Sequence, residues 1–254
     1  MVNKKQTAWK AYISVINEIV EKVVKTQGDN FEKAASYLAD CVEQDGIIHT
    51  FGVGHSHITS EEVFNRAATL APVHAILEPS MTGHTEITKS GKMEKLEGTG
   101  EILADYHRMS PPDTLIAISH SGNNAVTIDL GIAARKRGMK VVAITSIEYS
   151  EFLKPLHSSG KKLKDTADVV LDTCCPIGDA ALEFSNLKQK VGPTSGVLGM
   201  YIINALFART VEILLERGFK PDVYYNGSLG TNIEGIREHN KTLVNKYFAR
   251  IRNL

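Results

Sequence analysis

From residue 7 to residue 26 the apolar side chains fall at Ala8, Ala11, Tyr12, Val15, Ile16, Ile19, Val23 and Val24, with charged residues between them. That is the period of a helix with one apolar face. Residues 30–44 keep the period, and Asn30 stands where its side chain can cap a helix start. The pattern then changes: Ile47-Ile48-His49-Thr50-Phe51 is a short apolar run ending in glycine, and helical spacing resumes over 58–70. The alternation recurs, with strand-like runs at 73–77, 114–119, 141–145 and 168–172 and helical ones at 101–108, 125–137, 196–216 and 234–252. Pro111-Pro112 stops one helix and Gly138 caps another. Residues 79–100 are too long for an ordinary connection and form a candidate functional loop.

Continuous apolar strands alternating with helices predict an α/β protein, a parallel sheet covered on both faces. The architecture expected is a three-layer α/β/α sandwich with extra N- and C-terminal helices. No repeat, low-complexity tract or linker divides the chain, so residues 1–254 read as one domain.

Composition narrows the function. Twenty-nine basic residues balance 29 acidic ones, so no long-range field favours nucleic acid or an anionic membrane, and neither is expected as a partner. Any bound anion must be held by local geometry. Cys41, Cys174 and Cys175 lack the spacing of a disulfide framework or a thiolate zinc site, and buried structural thiols are expected. The N-terminal residues carry neither an uninterrupted apolar stretch nor a leader cleavage site. The apolar segment 196–215 contains Arg209 and Glu212, which suits a buried helix better than a membrane span. A cytoplasmic protein is expected.

In parallel α/β sheets, ligands bind where strand C-termini meet helix N-termini. Two such turns stand out. Gly52-Val53-Gly54-His55-Ser56-His57 follows the first strand, and its glycines let backbone approach a ligand. Ser119-His120-Ser121-Gly122-Asn123-Asn124 follows the third and offers two hydroxyls, a flexible glycine and carboxamides at a helix start. A phosphate dianion suits that environment, although the same residues also make a good turn and N-cap.

At this point the chain is recognisable. Residues 119–145, SHSGNNAVTIDLGIAARKRGMKVVAIT, closely resemble the signature of the SIS (sugar isomerase) domain family. The Gly52–Ser56 turn resembles that family's first phosphosugar loop, and Gly192-Pro193-Thr194-Ser195 its third ligand-facing element. The resemblance covers about 35–215 and is nearest to the branch with GHSH after the first strand and GDAA at 178–181; phosphoheptose isomerase is a looser likeness. It implies a five-stranded flavodoxin-like sheet and a bound phosphosugar. By position it implies substrate contacts from Gly54, His55, Ser56, Ser119, His120, Ser121, Asn124, Thr194 and Ser195, with His120 adding its backbone N–H. It also implies a homodimer or homotetramer, for which helix 7–26 is a candidate contact.

Aldose–ketose isomerisation through an enediol(ate) needs a base between adjacent carbons and an acid near the carbonyl oxygen. Glu62 is the first choice for the base, since Glu62-Val-Phe-Asn-Arg66 resembles the segment that supplies a catalytic glutamate in phosphoheptose isomerases. An ion pair with Arg66 is the competing role. His55, His57, His84 and His239 are candidates for the acid, with His57 and His239 preferred. No cofactor is required, though His55, His57 and His84 offer an alternative divalent-metal set. Segment 196–215 lacks the histidine that phosphoheptose isomerases carry there, which argues against the heptose reaction. Three readings stay open: a phosphosugar isomerase, a non-catalytic sugar-phosphate sensor, and a lyase or etherase acting on an N-acetylated amino-sugar phosphate. Residues 226–232 and 238–240 either close over the site or make a turn.

Overall fold

The computed structural model describes residues 7–84 and 86–254. Residues 1–6 and Thr85 lie outside that description, and with them the beginning of the N-terminal segment and one residue of the 79–100 loop.

Two helices, α1 (Ala8–Thr26) and α2 (Gly28–Glu43), precede the first strand, β1 (Ile48–Gly52). Helix α2 starts two residues before Asn30, which therefore lies inside the first turn instead of capping it. Gln27 does the anchoring: its Oε1 accepts from Asn30 Nδ2 and from the backbone N–H of Asp172, each at 3.1 Å. Then follow α3 (Ser56–Glu61), β2 (Val73–Ile76), α4 (Ile87–Met93), α5 (Thr99–Tyr106), β3 (Thr114–Ile118) and α6 (Ala125–Lys136). After these come β4 (Lys140–Thr145), α7 (Ile147–Phe152), β5 (Val169–Asp172), α8 (Ser195–Glu216) and α9 (Ile236–Tyr247).

The five strands form one sheet in the order β2-β1-β3-β4-β5, every neighbouring pair parallel. This is the expected flavodoxin-like order. The alternation of each strand fills both faces. Ile116, Ile118, Val142 and Ile144 join Leu38, Ile203 and Leu206 in a core under α1, α2 and α8. Leu115, Ala117, Val141 and Ala143 face Leu103, Ile128 and Leu130 of α5 and α6 on the other side. From β1 the chain goes to β2 on one side and returns to β3 on the other, so a crevice opens above the carboxyl ends of β1 and β3.

The helix expected over 58–70 is shorter, because α3 stops at Glu61 and the chain turns out through positive φ at Asn65 and Ala68. Residues 68–71 pair instead with 222–224: Ala68 N–H donates to Tyr224 O at 2.8 Å, and Tyr224 N–H to Thr69 O at 3.0 Å. The 79–100 loop contains α4 and the start of α5, and α9 is shorter at both ends than 234–252. Helix α8 is long and apolar enough to cross a bilayer, but here it packs on α2 and buries Leu198, Ile202, Ile203, Leu206 and Leu214 in the core.

Candidate functional site

The two turns singled out in the sequence lie side by side above β1 and β3. The second is tightly fixed. Gly122 has φ +62°, and a Cβ there would stand 2.9 Å from both Ser150 Oγ and Thr145 Oγ1, so only glycine fits. Ser146 N–H donates to His120 O at 3.1 Å, and Asn123 ties the turn to the α7 side through Lys154 O and the N–H of Leu156. Asn124 is the N-cap of α6, its Oδ1 accepting from Thr127 N–H at 3.4 Å. In the first turn Gly54 has φ +54° and donates its N–H to Met81 O at 2.8 Å. His57 Nδ1 lies 2.5 Å from Gly54 O, which fixes the proton on Nδ1 and leaves Nε2 bare in the neutral ring.

Two cavities open on these turns. One, of about 210 Å³, is bounded by His55, Ser56, Thr59, His120, Asp179 and Ser195. The other, of about 600 Å³, lies at the start of α6 and is bounded by Ser121, Asn124, Glu94, Lys95, Tyr149 and Lys154. Ser121, Asn124, Lys95 and Lys154 give its lining donors for an oxyanion, while Glu97, which also borders it, accepts from Ser158. Glu94 adds a carboxyl that burial pushes above its usual range, with Lys95 and the Asn124 amide pulling the other way. Its Oε2 stands 4.0 Å from where a Cβ on Gly54 would be, between the two turns. A raised carboxyl beside an anion-binding set suits proton transfer.

Asp179 organises the start of α8. Its Oδ1 accepts from the N–H groups of Thr194 and Ser195 at 2.9 and 2.7 Å and from Thr194 Oγ1 at 2.9 Å, and its Oδ2 accepts from Ser195 Oγ at 2.6 Å. Burial raises its pKa, but these bonds, and the nearby His120, carry it below the usual carboxylate value. Thr194 and Ser195, expected to face substrate, are thus engaged with a carboxylate of their own chain, although Ser195 still borders the smaller cavity. His120 Nε2 lies 3.8 Å from Asp179 Oδ1. Burial lowers the His120 pKa, while Asp179, the Pro176 carbonyl and Asp172 oppose the shift.

The structure therefore gathers His55, Ser56, His120, Ser121, Asn124 and Ser195 around the two cavities, with Ser119 buried beneath them; Gly54 and His57 belong to the first turn but line neither cavity. Glu62 and His239 lie elsewhere. Glu62 pairs with Arg66 at 3.0 Å and accepts from Asn204 Nδ2 at 3.1 Å, and it borders neither cavity. His239 Nε2 meets Val223 O at 3.0 Å, its ring against Tyr225. The His57 and His84 rings lie 5.8 Å apart, tilted by 41°, while His84 Nδ1 bonds Thr82 Oγ1 at 2.6 Å. All three cysteines are buried and free. Sequence reasoning missed Glu94 and the partnership of Asp179 with α8. The GDAA motif was the only signal for Asp179, and for Glu94 there was only the length of its loop.

A family model described as SIS domain matches residues 11–146, the stretch holding β1 to β4 and both turns. A UPF0309 protein of Geobacillus kaustophilus is 38% identical over 240 residues, covering 94% of this chain and 94% of that one. A UPF0309 protein of Caldanaerobacter subterraneus is 39% identical over 246 residues, covering 96% and 98%. Among solved structures, phosphoheptose isomerase from Neisseria gonorrhoeae superposes with a TM-score of 0.52 at 18% identity, over 80% of this chain and 96% of that one. A phosphoheptose isomerase from Francisella tularensis gives 0.51 at 16% identity, over 82% and 100%.

Proposed function

Because this chain belongs to the SIS domain family, with UPF0309 proteins as relatives along nearly its whole length, we propose that it binds a phosphorylated sugar and isomerises it between aldose and ketose. The observation that carries the reading is the cavity at the start of α6, where Ser121, Asn124, Lys95 and Lys154 surround the same space as a carboxyl of raised pKa. The phosphate sits on the Ser121 turn, with the first turn closing over the sugar carbons. Glu94 takes the proton from the carbon beside the carbonyl and returns it to the former carbonyl carbon, so that the enediol(ate) forms and collapses with no net change in oxidation. His57, with Nε2 bare, moves the hydroxyl proton between the two oxygens. Glu62 is the alternative base, and its place beside Arg66 gives it a structural role in this reading. The assembly is a homodimer or homotetramer.

The test is a thermal-shift panel of sugar phosphates, each paired with its unphosphorylated sugar, followed by assay of every ligand found. Binding should require the phosphate and weaken about ten- to a hundredfold in Ser119→Ala/Ser121→Ala, the loss expected for hydrogen bonds to a charged group. Glu94→Gln should bind and not turn over, whereas Glu62→Gln should retain activity; the reverse result returns the base to Glu62. Saturable binding with no conversion of any sugar would make the protein a sensor. Release of an ether substituent instead of isomerisation would make it an etherase.

A further inference from the structure

His120, Cys175 and Asp179 come from three different segments, yet one ligand atom of each lies within 4.8 Å of the others. His120 lies at the start of the turn after β3, Cys175 stands three residues past the end of β5, and Asp179 sits in the loop that leads to α8. Both ring nitrogens of His120 are buried, and neither has a partner in hydrogen-bonding geometry, the Pro176 carbonyl being the backbone acceptor that influences the ring. A buried imidazole ordinarily anchors at least one nitrogen. Among the described residues both buried nitrogens lack a hydrogen-bond partner in His107 and His120, and of the two it is His120, packed on Tyr149, that faces a thiol and a carboxylate. The backbone beneath is held in an uncommon form, with positive φ at Cys174 and Asp179.

We propose that these three side chains bind a divalent transition-metal ion, zinc by ligand preference, with a fourth position open to the smaller cavity. One imidazole nitrogen, one thiolate and one carboxylate form a mixed N/S/O set that favours zinc over magnesium or calcium. Three protein ligands with an open position are the arrangement of a zinc ion that also meets a small molecule. The 3.8 Å between His120 Nε2 and Asp179 Oδ1 is within a few tenths of the separation, about 3.4 Å, that two ligands take on tetrahedral zinc with bonds of about 2.1 Å. The supporting shell is in place. Asp179 Oδ1 accepts from Thr194 N–H, Thr194 Oγ1 and Ser195 N–H. A metal bond there takes the place of the rotatable Thr194 hydroxyl, which with Thr173 lies within hydrogen-bonding reach of Cys175. Ligands oriented by such outer partners are the rule at metal sites. On binding, the Cys175 thiol gives its proton to solvent, and the two anionic ligands balance the ion's two positive charges. This trio differs from the His55, His57 and His84 set considered from the sequence, and it stands or falls independently of the phosphosugar reading.

The experiment measures metal content on the full chain, purified without a metal-binding tag, and then follows cobalt(II) titration by absorption. The expected result is one equivalent per chain and a thiolate-to-cobalt charge-transfer band with intense tetrahedral d–d bands. Cys175→Ser should abolish the charge-transfer band, and His120→Ala should weaken cobalt binding more than about a hundredfold, beyond the 10- to 100-fold typical of outer-shell changes such as Thr194→Val. His84→Ala should leave cobalt binding and its spectrum unchanged. Sub-stoichiometric metal with no charge-transfer band in the wild-type protein overturns the proposal, as does binding that survives Cys175→Ser and is lost in His84→Ala. The wild-type spectrum alone decides the matter if a variant fails to fold, and it needs no sugar.

Discussion

His74 shows what one buried side chain can do to the stability of the whole. On β2, it faces His49 of β1 with their Nδ1 atoms 3.1 Å apart, while His49 Nε2 lies 3.2 Å from Asp113 Oδ2. Burial, aided by His49, His107 and Arg252, pushes the His74 pKa down to about 2 from an ordinary 6.5. The native ring is therefore neutral where the unfolded chain takes up a proton, so stability is lost as pH falls below 6.5, by up to about 1.4 kcal/mol per unit from this site. Asp168, Asp179 and Asp222, whose pKa values are lowered, lose their contribution only in stronger acid, below the carboxylate range. His74→Asn should thus flatten the fall in melting temperature between about pH 6.5 and 4.5; parallel curves for the two proteins would refute the assignment. At this scale the sequence reveals residues whose role is local. Ser56, Ser119 and Ser121 can be read because a turn is written in consecutive letters. Glu94 cannot, since its environment depends on how residues 79–100 fold back, and His120 shows its chemistry only when Cys175 and Asp179 approach it.

Elements obey a mixture of local signals and distant ones. The start of α6 is local: Asn124 caps it and Gly122 makes the preceding turn possible. Asn124→Ala should cost about 1 kcal/mol of stability, and Asn124→Asp should recover most of it. Gly122→Ala should cost more, because the new methyl meets two hydroxyls in a backbone form that disfavours it. Denaturant unfolding of the three variants checks the ranking, and an unchanged midpoint in Asn124→Ala would show that the cap carries no weight. The same logic explains the error over 58–70. Phe64 and Leu70 continue a helical spacing past Glu61, but the backbone of 68–71 is claimed by 222–224, about 150 residues later, and a window along the chain cannot see that. Helix α7 escapes the sequence because its six residues make fewer than two turns, too few to show a repeat, with Ser146 as its marker.

Over the whole molecule, the sheet was the most legible part, because strands buried on both faces are runs of apolar residues and need no partner to be recognised. Which surfaces remain for other copies was less so. Helix α1 buries Ile16, Ile19 and Val23 in the core of its own chain and packs on α8, yet Trp9, Ile13 and Val24 remain exposed. Val24 borders an apolar groove with Val20, Phe31 and Tyr201, between α1, α2 and α8. If the proposed dimer or tetramer forms there, light scattering should give a multiple of the 27.8 kDa chain mass. Val24→Glu/Tyr201→Glu should return it to one chain without unfolding, and an unaltered mass would place the contact elsewhere.

Residues 250–253 close on segments made long before them. Asn253 donates to Ala75 O at 2.9 Å, 178 residues upstream, Arg250 reaches Asp45 O at 2.5 Å, and Ile251 is buried. On a ribosome adding about 5–20 residues per second, β2 would wait roughly 10–35 s for these contacts. Through that interval the edge strand lacks these contacts, and a nascent chain halted before residues 250–253 would hold it less firmly against chaperones and proteases.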